Sequence, residues 1–349
     1  MADRGRWHEL LTLWPQVIQM AEHLPNPTSY IELVKNLATL KDRQGDGEDA
    51  NQLYQRLLHA TQFPQLPLVL RADLLHQVGT TLVWQGQLKR AGVLLHQVLA
   101  LTEQHFDGSE RPKTDQFGVR SSLQMTPLWE SRAYALSQLG NIAMFHGRFI
   151  QAEQLYMACW NTLNQHGEAE NLACVAHQAL GRLWLHWRQP KRAIPILEKG
   201  IVIRRRRHHN EGVAINAIYL AAALMDCREL DHAEPLLNEA LPIVRTVENR
   251  RDCGLCHLYL GQLELLRGRQ QVAIEQWQQA LSYLQTVHTP LIEQRVFIVY
   301  CPWLLTIGAF SLWHAVLKQL NNSSRQQGLL ASDLGRLILR GIYPRHYKI

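Results

Sequence analysis

The sequence has few of the residues and segments that mark the specialised classes of protein. Six cysteines among 349 residues are too few for a disulfide framework, and 21 glycines with 14 prolines are too few for a collagenous or low-complexity chain. No apolar run reaches the roughly 18 residues that a membrane-spanning helix needs, and the first residues show no apolar core of a secretory signal. We therefore expect a cytoplasmic protein with no membrane partner.

The charge balance sets only a mild bias. Charged residues make up 19% of the chain and hydrophobic residues 46%, as in ordinary globular proteins, and the formal net charge is +6. A surplus of this size permits an acidic partner but does not by itself indicate nucleic-acid binding. The length allows either two compact domains or one elongated array of repeats, so internal repetition has to decide between them.

A short pattern recurs along most of the chain. A small residue is followed by a turn, then by an alanine, and four residues later by a bulky side chain, as in Gly140, Ala152 and Tyr156. The small residue falls at Ala38, Gly79, Gly140, Gly181, Ala221 and Gly261. The differences between successive position numbers are 41, 61, 41, 40 and 40. This near-constant spacing predicts six repeats, a degenerate seventh near Cys301 and a half repeat at the start.

Each repeat is predicted to form a pair of antiparallel helices. Apolar residues recur at intervals of three and four, as in Leu136, Leu139 and Ala143, and a glycine such as Gly147 ends the first helix. The small residue lets the two helices approach closely, and the bulky residue fills the space beside it. Because one pair cannot bury its own apolar faces, the pairs should stack into an α-solenoid.

This pattern resembles the tetratricopeptide repeat (TPR) over about residues 5–320. The period is longer than the one typical of that family, and long repeats of this kind look like those in the sensor arms of bacterial signal-transducing ATPases with numerous domains (STAND proteins). The resemblance implies an all-α fold, a right-handed α-α superhelix of antiparallel helix pairs. No Walker-type motif GxxxxGK[ST] occurs in the sequence, so an ATPase module is not expected within it.

The predicted organisation has three segments. Residues 1–26 form a half repeat or capping helix, residues 27–320 form the array, and residues 321–349 form a C-terminal capping helix and tail. The longest step contains a polar insertion at about 104–127. This insertion is either a tolerated surface loop or a flap that reaches toward a partner.

One short motif has the letters of a covalent haem site. Cys253, Cys256 and His257 form the CxxCH sequence of c-type haem attachment. They fall inside the predicted first helix of the repeat based on Gly261, where small buried residues are expected, so we interpret them as part of the core. Zinc is not indicated, because a second ligand pair at suitable spacing is missing from the sequence. We expect no cofactor and no enzymatic activity.

The family resemblance also implies where a partner binds. TPR proteins often contact ligands through the concave face of their first helices, near the small position. The corresponding residues here are His76, Thr80, Trp84, Tyr134, Ser137, Asn141, Phe145, Gln178, Arg182 and His186. They predict a groove for a protein or peptide, in a scaffold or in the ligand-sensing part of a signalling or regulatory system. The alternative is that some of them belong to the core between repeats.

A cluster of arginines suggests an alternative function. It comprises Arg204, Arg205, Arg206 and Arg207 at one repeat junction and Arg250 and Arg251 near the next. Such a run is either a solvated helix end that faces the negative end of the helix dipole, or an edge that binds an acidic peptide, a phosphate or a nucleic-acid backbone. Aromatic residues do not interleave with it, which weakens the prediction of single-stranded nucleic-acid binding.

Overall fold

A computed structural model describes most of the predicted array. The described residues are 47–59, 66–103, 127–165, 169–247, 249–284 and 307–315, with isolated positions between 30 and 41 and at 64, 304 and 318. The predicted segments 1–26 and 321–349 lie outside these residues, and so does the predicted insertion as far as residue 126. Among the described residues no helix is both long and apolar enough to cross a membrane.

Eleven bounded α-helices, and no strand, occupy these described ranges. They are α1 (Gly47–His59), α2 (Leu68–Trp84), α3 (Leu88–Glu103), α4 (Leu128–Phe145), α5 (Phe149–Gln165), α6 (Ala169–His186), α7 (Pro190–Arg206), α8 (Asn210–Asp226), α9 (Leu230–Thr246), α10 (Arg250–Leu266) and α11 (Gln270–Leu284). The predicted all-α fold of paired helices is confirmed. Short turns of three residues join most helices, which places successive helices antiparallel.

The chain divides into two compact units. The first comprises Met1–Leu82 and Lys89–Ala135, and the second comprises Val83–Leu88 and Leu136–Ile349. In the first unit, apolar side chains such as Leu57, Leu70 and Leu74 form a buried cluster.

Besides the end of α4 and the whole of α5, the described part of the second unit contains three stacked pairs. Each pair has a first helix (α6, α8 or α10) and a second helix (α7, α9 or α11). Each first helix packs against its own second helix, and α8 also packs against the first helices α6 and α10. The first helices therefore form one layer, which we call the inner layer. The helix α8 lies in the middle of these contacts, and nearly all of its side chains from Val213 to Met225 are buried.

Glycines stand where the two helices of a pair approach most closely. A Cβ atom built on Gly140 would lie 2.5 Å from the Tyr156 ring, and one built on Gly261 would lie 2.3 Å from Nε1 of Trp277. Real Cβ atoms do not come this close to other heavy atoms. The prediction that the small residue makes room for the bulky residue of the following helix is therefore confirmed.

The turns between paired helices carry a second periodic feature. One residue in each turn has a positive φ, the left-handed conformation that commonly ends a helix. These residues are Gly86, Gly147, Arg188, Arg228, Gly268 and Gly308. From Gly147 onward they recur with the period of the small residues, so Gly308 continues the repeat pattern beyond α11. Arg188 and Arg228, at φ values of 60° and 68°, occupy a conformation that suits glycine better.

Replacing Arg228 by glycine should raise the midpoint of urea unfolding. A non-glycine residue in the left-handed region costs about 1–2 kcal/mol, and the greater freedom of glycine in the unfolded chain offsets part of the gain, so we expect a net gain of up to about 1 kcal/mol. The opposite exchange, Gly268→Ala, should lower the midpoint, because Gly268 has a φ of 79°.

Gly92 of α3 supplies the matched control for the glycine exchange. It lies within a helix with a negative φ, and a Cβ built on it would meet nothing within 4 Å. Gly92→Ala should therefore stabilise the protein by about 0.5–1 kcal/mol. A loss of stability in Arg228→Gly would show that the side chain of Arg228 contributes more than its backbone conformation costs.

Candidate functional site

Two residues predicted from the sequence meet in the second unit, at the start of its inner layer. Asn141 of α4 and Arg182 of α6 each follow the small residue of their repeat, and the Arg182 guanidinium donates a hydrogen bond to Oδ1 of Asn141. The hydroxyl of Tyr156 donates to the same oxygen at 2.6 Å, and Nδ2 of Asn141 donates to Oε1 of Gln138 at 2.7 Å. The amide of Asn141 is thus held from both sides and fixes the position of Arg182.

Tyr219 of α8 extends this network along the inner layer. Its hydroxyl hydrogen-bonds to the guanidinium of Arg182, and its ring is buried. Tyr219 also lies within electrostatic range of Arg251 and Tyr259 of α10. Polar side chains therefore follow one another across α4, α6, α8 and α10. We call this set the inner polar row, and it comprises Asn141, Arg182, Tyr219, Arg251 and Tyr259.

The two arginines of the inner polar row differ in how their charges are compensated. Arg251 donates two hydrogen bonds to the carboxylate of Asp252, each 3.1 Å long, and its guanidinium lies 5.1 Å from the centre of the Trp84 ring. Burial lowers the pKa of Arg251, but Asp252 outweighs this effect and raises the pKa overall. Arg251 is therefore an ion-paired cation.

Arg182 has no such ion pair among the described residues. Its partners are the neutral oxygens of Asn141, Tyr156 and Tyr219, and its Nε is buried without a hydrogen-bond partner among those residues. Burial lowers the pKa of Arg182, while the two hydroxyls raise it, and the net direction is upward. Arg182 is thus a partly exposed cation whose charge no carboxylate of the described part of the chain offsets.

In the first unit, the predicted groove residues pack against one another. His76 is buried and its ring stacks on that of Tyr134, with 5.3 Å between the ring centres. Burial lowers the pKa of His76 to about 4, although Asp73 acts in the opposite direction. The hydroxyl of Thr80 donates to the carbonyl of His76 at 2.8 Å. His76 is therefore a neutral interior residue rather than a side chain exposed to a ligand.

The other predicted groove residues differ in exposure. Ser137 is buried, as is His76, so both side chains belong to the core between repeats. Trp84 lies against the guanidinium of Arg251. The predicted groove residues that remain partly exposed on α4 and α6 are Tyr134, Phe145, Gln178, Arg182 and His186.

The sequence interpretation missed two residues of the inner polar row, Tyr219 and Tyr259. Both stand two positions before the small residue of their repeats, Ala221 and the later Gly261. The same position holds a glutamine in two earlier repeats, Gln77 and Gln138, both of which make side-chain hydrogen bonds. A polar or aromatic residue at this place was the signal that could have identified them.

Arg204 does not belong to an exposed edge. Only 8% of its surface is exposed, and its guanidinium donates to the carbonyls of Gly212 at 2.7 Å and Cys174 at 3.3 Å. Burial lowers the pKa of Arg204. The prediction of Arg204 as an anion-binding surface residue is wrong, because its side chain ties α7 to α6 and α8 from within.

The remaining arginines of the predicted edge are dispersed. Arg205 is exposed and forms an ion pair with Glu239, with nitrogen–oxygen distances of 2.6 and 2.7 Å. Arg206, Arg207 and Arg250 are exposed, whereas Arg251 lies in the inner polar row and is paired with Asp252. The second junction therefore supplies one exposed arginine instead of the two that were predicted.

The side chains of the CxxCH motif are engaged in packing between helices. Cys253 and Cys256 are buried in α10, and burial raises the pKa of their thiols to about 11 and about 12, so both are neutral. Arg245 donates to Nε2 of His257 at 3.1 Å, which leaves Nδ1 to donate to Gln276 at 2.8 Å. This geometry fixes one neutral tautomer of His257. Within the described ranges no three His, Cys, Asp or Glu side chains are grouped as metal ligands.

Antiparallel helix pairs at a regular period, close glycine crossings and a polar inner layer define a TPR-like helical repeat protein. No family model matches the sequence, and no curated protein matches it either. Several solved structures do match this chain in their fold. The apo form of RapI has a TM-score of 0.59 at 10% identity, covering 85% of this chain and 98% of RapI.

Two further solved structures share the fold. A Rap protein complexed with Competence and Sporulation Factor has a TM-score of 0.55 at 13% identity, covering 91% of this chain and 82% of that one. A STAND protein with a tetratricopeptide repeat sensor from Pyrococcus horikoshii has a TM-score of 0.52 at 13% identity, covering 97% of this chain and 45% of that one. The predicted resemblance to TPR repeats, including those of a STAND sensor, is confirmed at the level of the fold.

Proposed function

We propose that the protein is an interaction module whose inner layer binds an extended segment of a protein or peptide partner. The observation that carries this proposal is the inner polar row with the partly exposed side chains beside it, Phe145, Gln178 and His186. Successive repeats place these groups along one layer, as recognition of an extended segment requires. Recognition is then the function, with no catalytic step.

The structural neighbours support a scaffold or sensor role. One Rap protein structure contains Competence and Sporulation Factor, and the STAND protein is described as carrying a TPR sensor. We therefore favour a regulatory or signalling role, in the cytoplasm, for this chain. The arginine edge is a weaker candidate for binding nucleic acid or another anion, because Arg204 is buried and Arg205 is paired with Glu239.

Site-specific crosslinking in cells of the source organism tests this proposal. A photoreactive amino acid replaces Gln178, on the inner layer, or Glu198, which is exposed on the second helix α7. The proposal expects a discrete crosslinked partner from position 178 and none of the same mass from position 198. Equal crosslinking from both positions, or none from position 178, would contradict an inner-layer binding site.

A further inference from the structure

The uncompensated charge of Arg182 is the feature of the inner polar row that requires an explanation. Removing a charged group from water is costly unless an opposite charge and hydrogen bonds replace the water. Arg251 pairs with Asp252 and Arg188 lies 3.8 Å from Asp226. Arg204 has only neutral acceptors within the described ranges, but it is buried and its guanidinium donates to the carbonyls of Gly212 and Cys174. Arg182 also contacts three neutral oxygens, but it keeps an unpartnered Nε among the described residues.

We propose that Arg182 is the binding site for an acidic side chain, an aspartate or glutamate, of the partner segment. The inference rests on the proposed function and names the chemistry of its ligand. A guanidinium offers a planar fork of donors that matches a carboxylate, and hydrogen bonds between such charged groups are among the strongest in proteins.

The surroundings of Arg182 favour an anion over a neutral group. Tyr219 hydrogen-bonds to Arg182 and also interacts electrostatically with Arg251, and Asp252 offsets only the second of these two cations. Partial exclusion of water strengthens the attraction of a carboxylate to this region. Asn141 and Tyr156 hold the other side of the guanidinium, so the Arg182 side chain is restrained to this region before the ligand arrives.

Access to the unpartnered nitrogen requires a small rearrangement. Nε of Arg182 is itself buried, whereas the residue as a whole is partly exposed. A carboxylate that contacts the exposed side of the guanidinium reaches Nε when the side chain changes its torsion angles, and such rotamer changes are common where partners bind. The acidic side chain would then replace the missing ion-pair partner.

Selection from a display library of unmodified dodecapeptides tests the inference on the full-length protein. The wild type should enrich a motif with an acidic residue at one fixed position. Arg182→Gln should lose the preference at that position and bind the selected peptide about 10- to 100-fold more weakly. Arg182→Lys keeps the charge without the fork and should bind with intermediate affinity.

Arg207→Gln is the matched control, because it removes the same charge from an exposed residue at the end of α7 and should leave the motif and affinity unchanged. Circular dichroism checks that each variant is folded. If Arg182→Gln does not fold, the comparison of Arg182→Lys with the wild type tests the inference. A motif without an acidic position, or an acidic position that survives in both Arg182 variants, would overturn the inference while leaving the proposed function intact. Absence of any enriched motif on the wild type would overturn both.

Discussion

Replacing Arg204 by alanine is expected to lower the free energy of unfolding by about 2–4 kcal/mol. The guanidinium donates to the carbonyls of Gly212 and Cys174, and it lies 3.4 Å from the side-chain oxygen of Asn216. Alanine would remove these buried hydrogen bonds and would leave a cavity between α6, α7 and α8. Urea unfolding followed by circular dichroism measures the loss.

Arg205→Ala is the control for that experiment, because it removes the same charge from the next residue. Its ion pair with Glu239 is solvent-exposed, and such pairs contribute about 0–1 kcal/mol. We therefore expect a small change for Arg205→Ala and a large one for Arg204→Ala. Similar small effects in both variants would mean that the buried hydrogen bonds of Arg204 do not stabilise the contact between the helices.

The second large effect is expected at the crossing of α10 and α11. Gly261→Ala should destabilise the protein by about 1–3 kcal/mol, because the added methyl group overlaps the Trp277 ring and overpacks the core. The ring cannot move freely, since Trp277 is buried and its Nε1 donates to the carbonyl of Leu258 at 3.1 Å.

A compensating substitution at Trp277 makes this prediction sharper. The preceding repeat combines Ala221 with Leu237 at the same two positions, and both of those side chains are fully buried. The double variant Gly261→Ala with Trp277→Leu copies that pair and should be more stable than the sum of the two single losses predicts. Strictly additive losses in this cycle would show that Gly261 and Trp277 are not coupled.

The repeat frame and its packing could be predicted because their determinants are local. Gly261 and Trp277 lie within one helix pair, and their separation in the sequence is the same as that of Gly140 from Tyr156 and of Gly181 from Leu197. A contact of this kind depends only on the turn between two neighbouring helices. The sequence pattern therefore identifies it without knowledge of the rest of the fold.

The role of Arg204 could not be predicted from its residue type, because arginine side chains are mostly exposed. Its repeat position carried the information instead. Arg204 stands four residues after Gly200, and the corresponding residues of other repeats, Leu163, Val244 and Leu284, are all buried. An alignment of the repeats by position would have placed Arg204 in the core.

The candidate site was predicted only in part, because it depends on contacts between repeats. Asn141 and Arg182 were identified from their position beside the small residue. Their hydrogen bond joins two different repeats, and the addition of Tyr219 from the next repeat depends on how the pairs stack. Side-chain direction across that distance is set by tertiary packing rather than by local spacing.

The burial of α8 has a consequence for how the second unit opens. Neighbouring pairs surround this helix, so water reaches its backbone amides only after a flanking pair has separated. Its amides should consequently exchange their hydrogens with solvent more slowly than those of α11. If local unfolding begins at a flanking pair, α8 should stay folded, and the opened pair should refold against it.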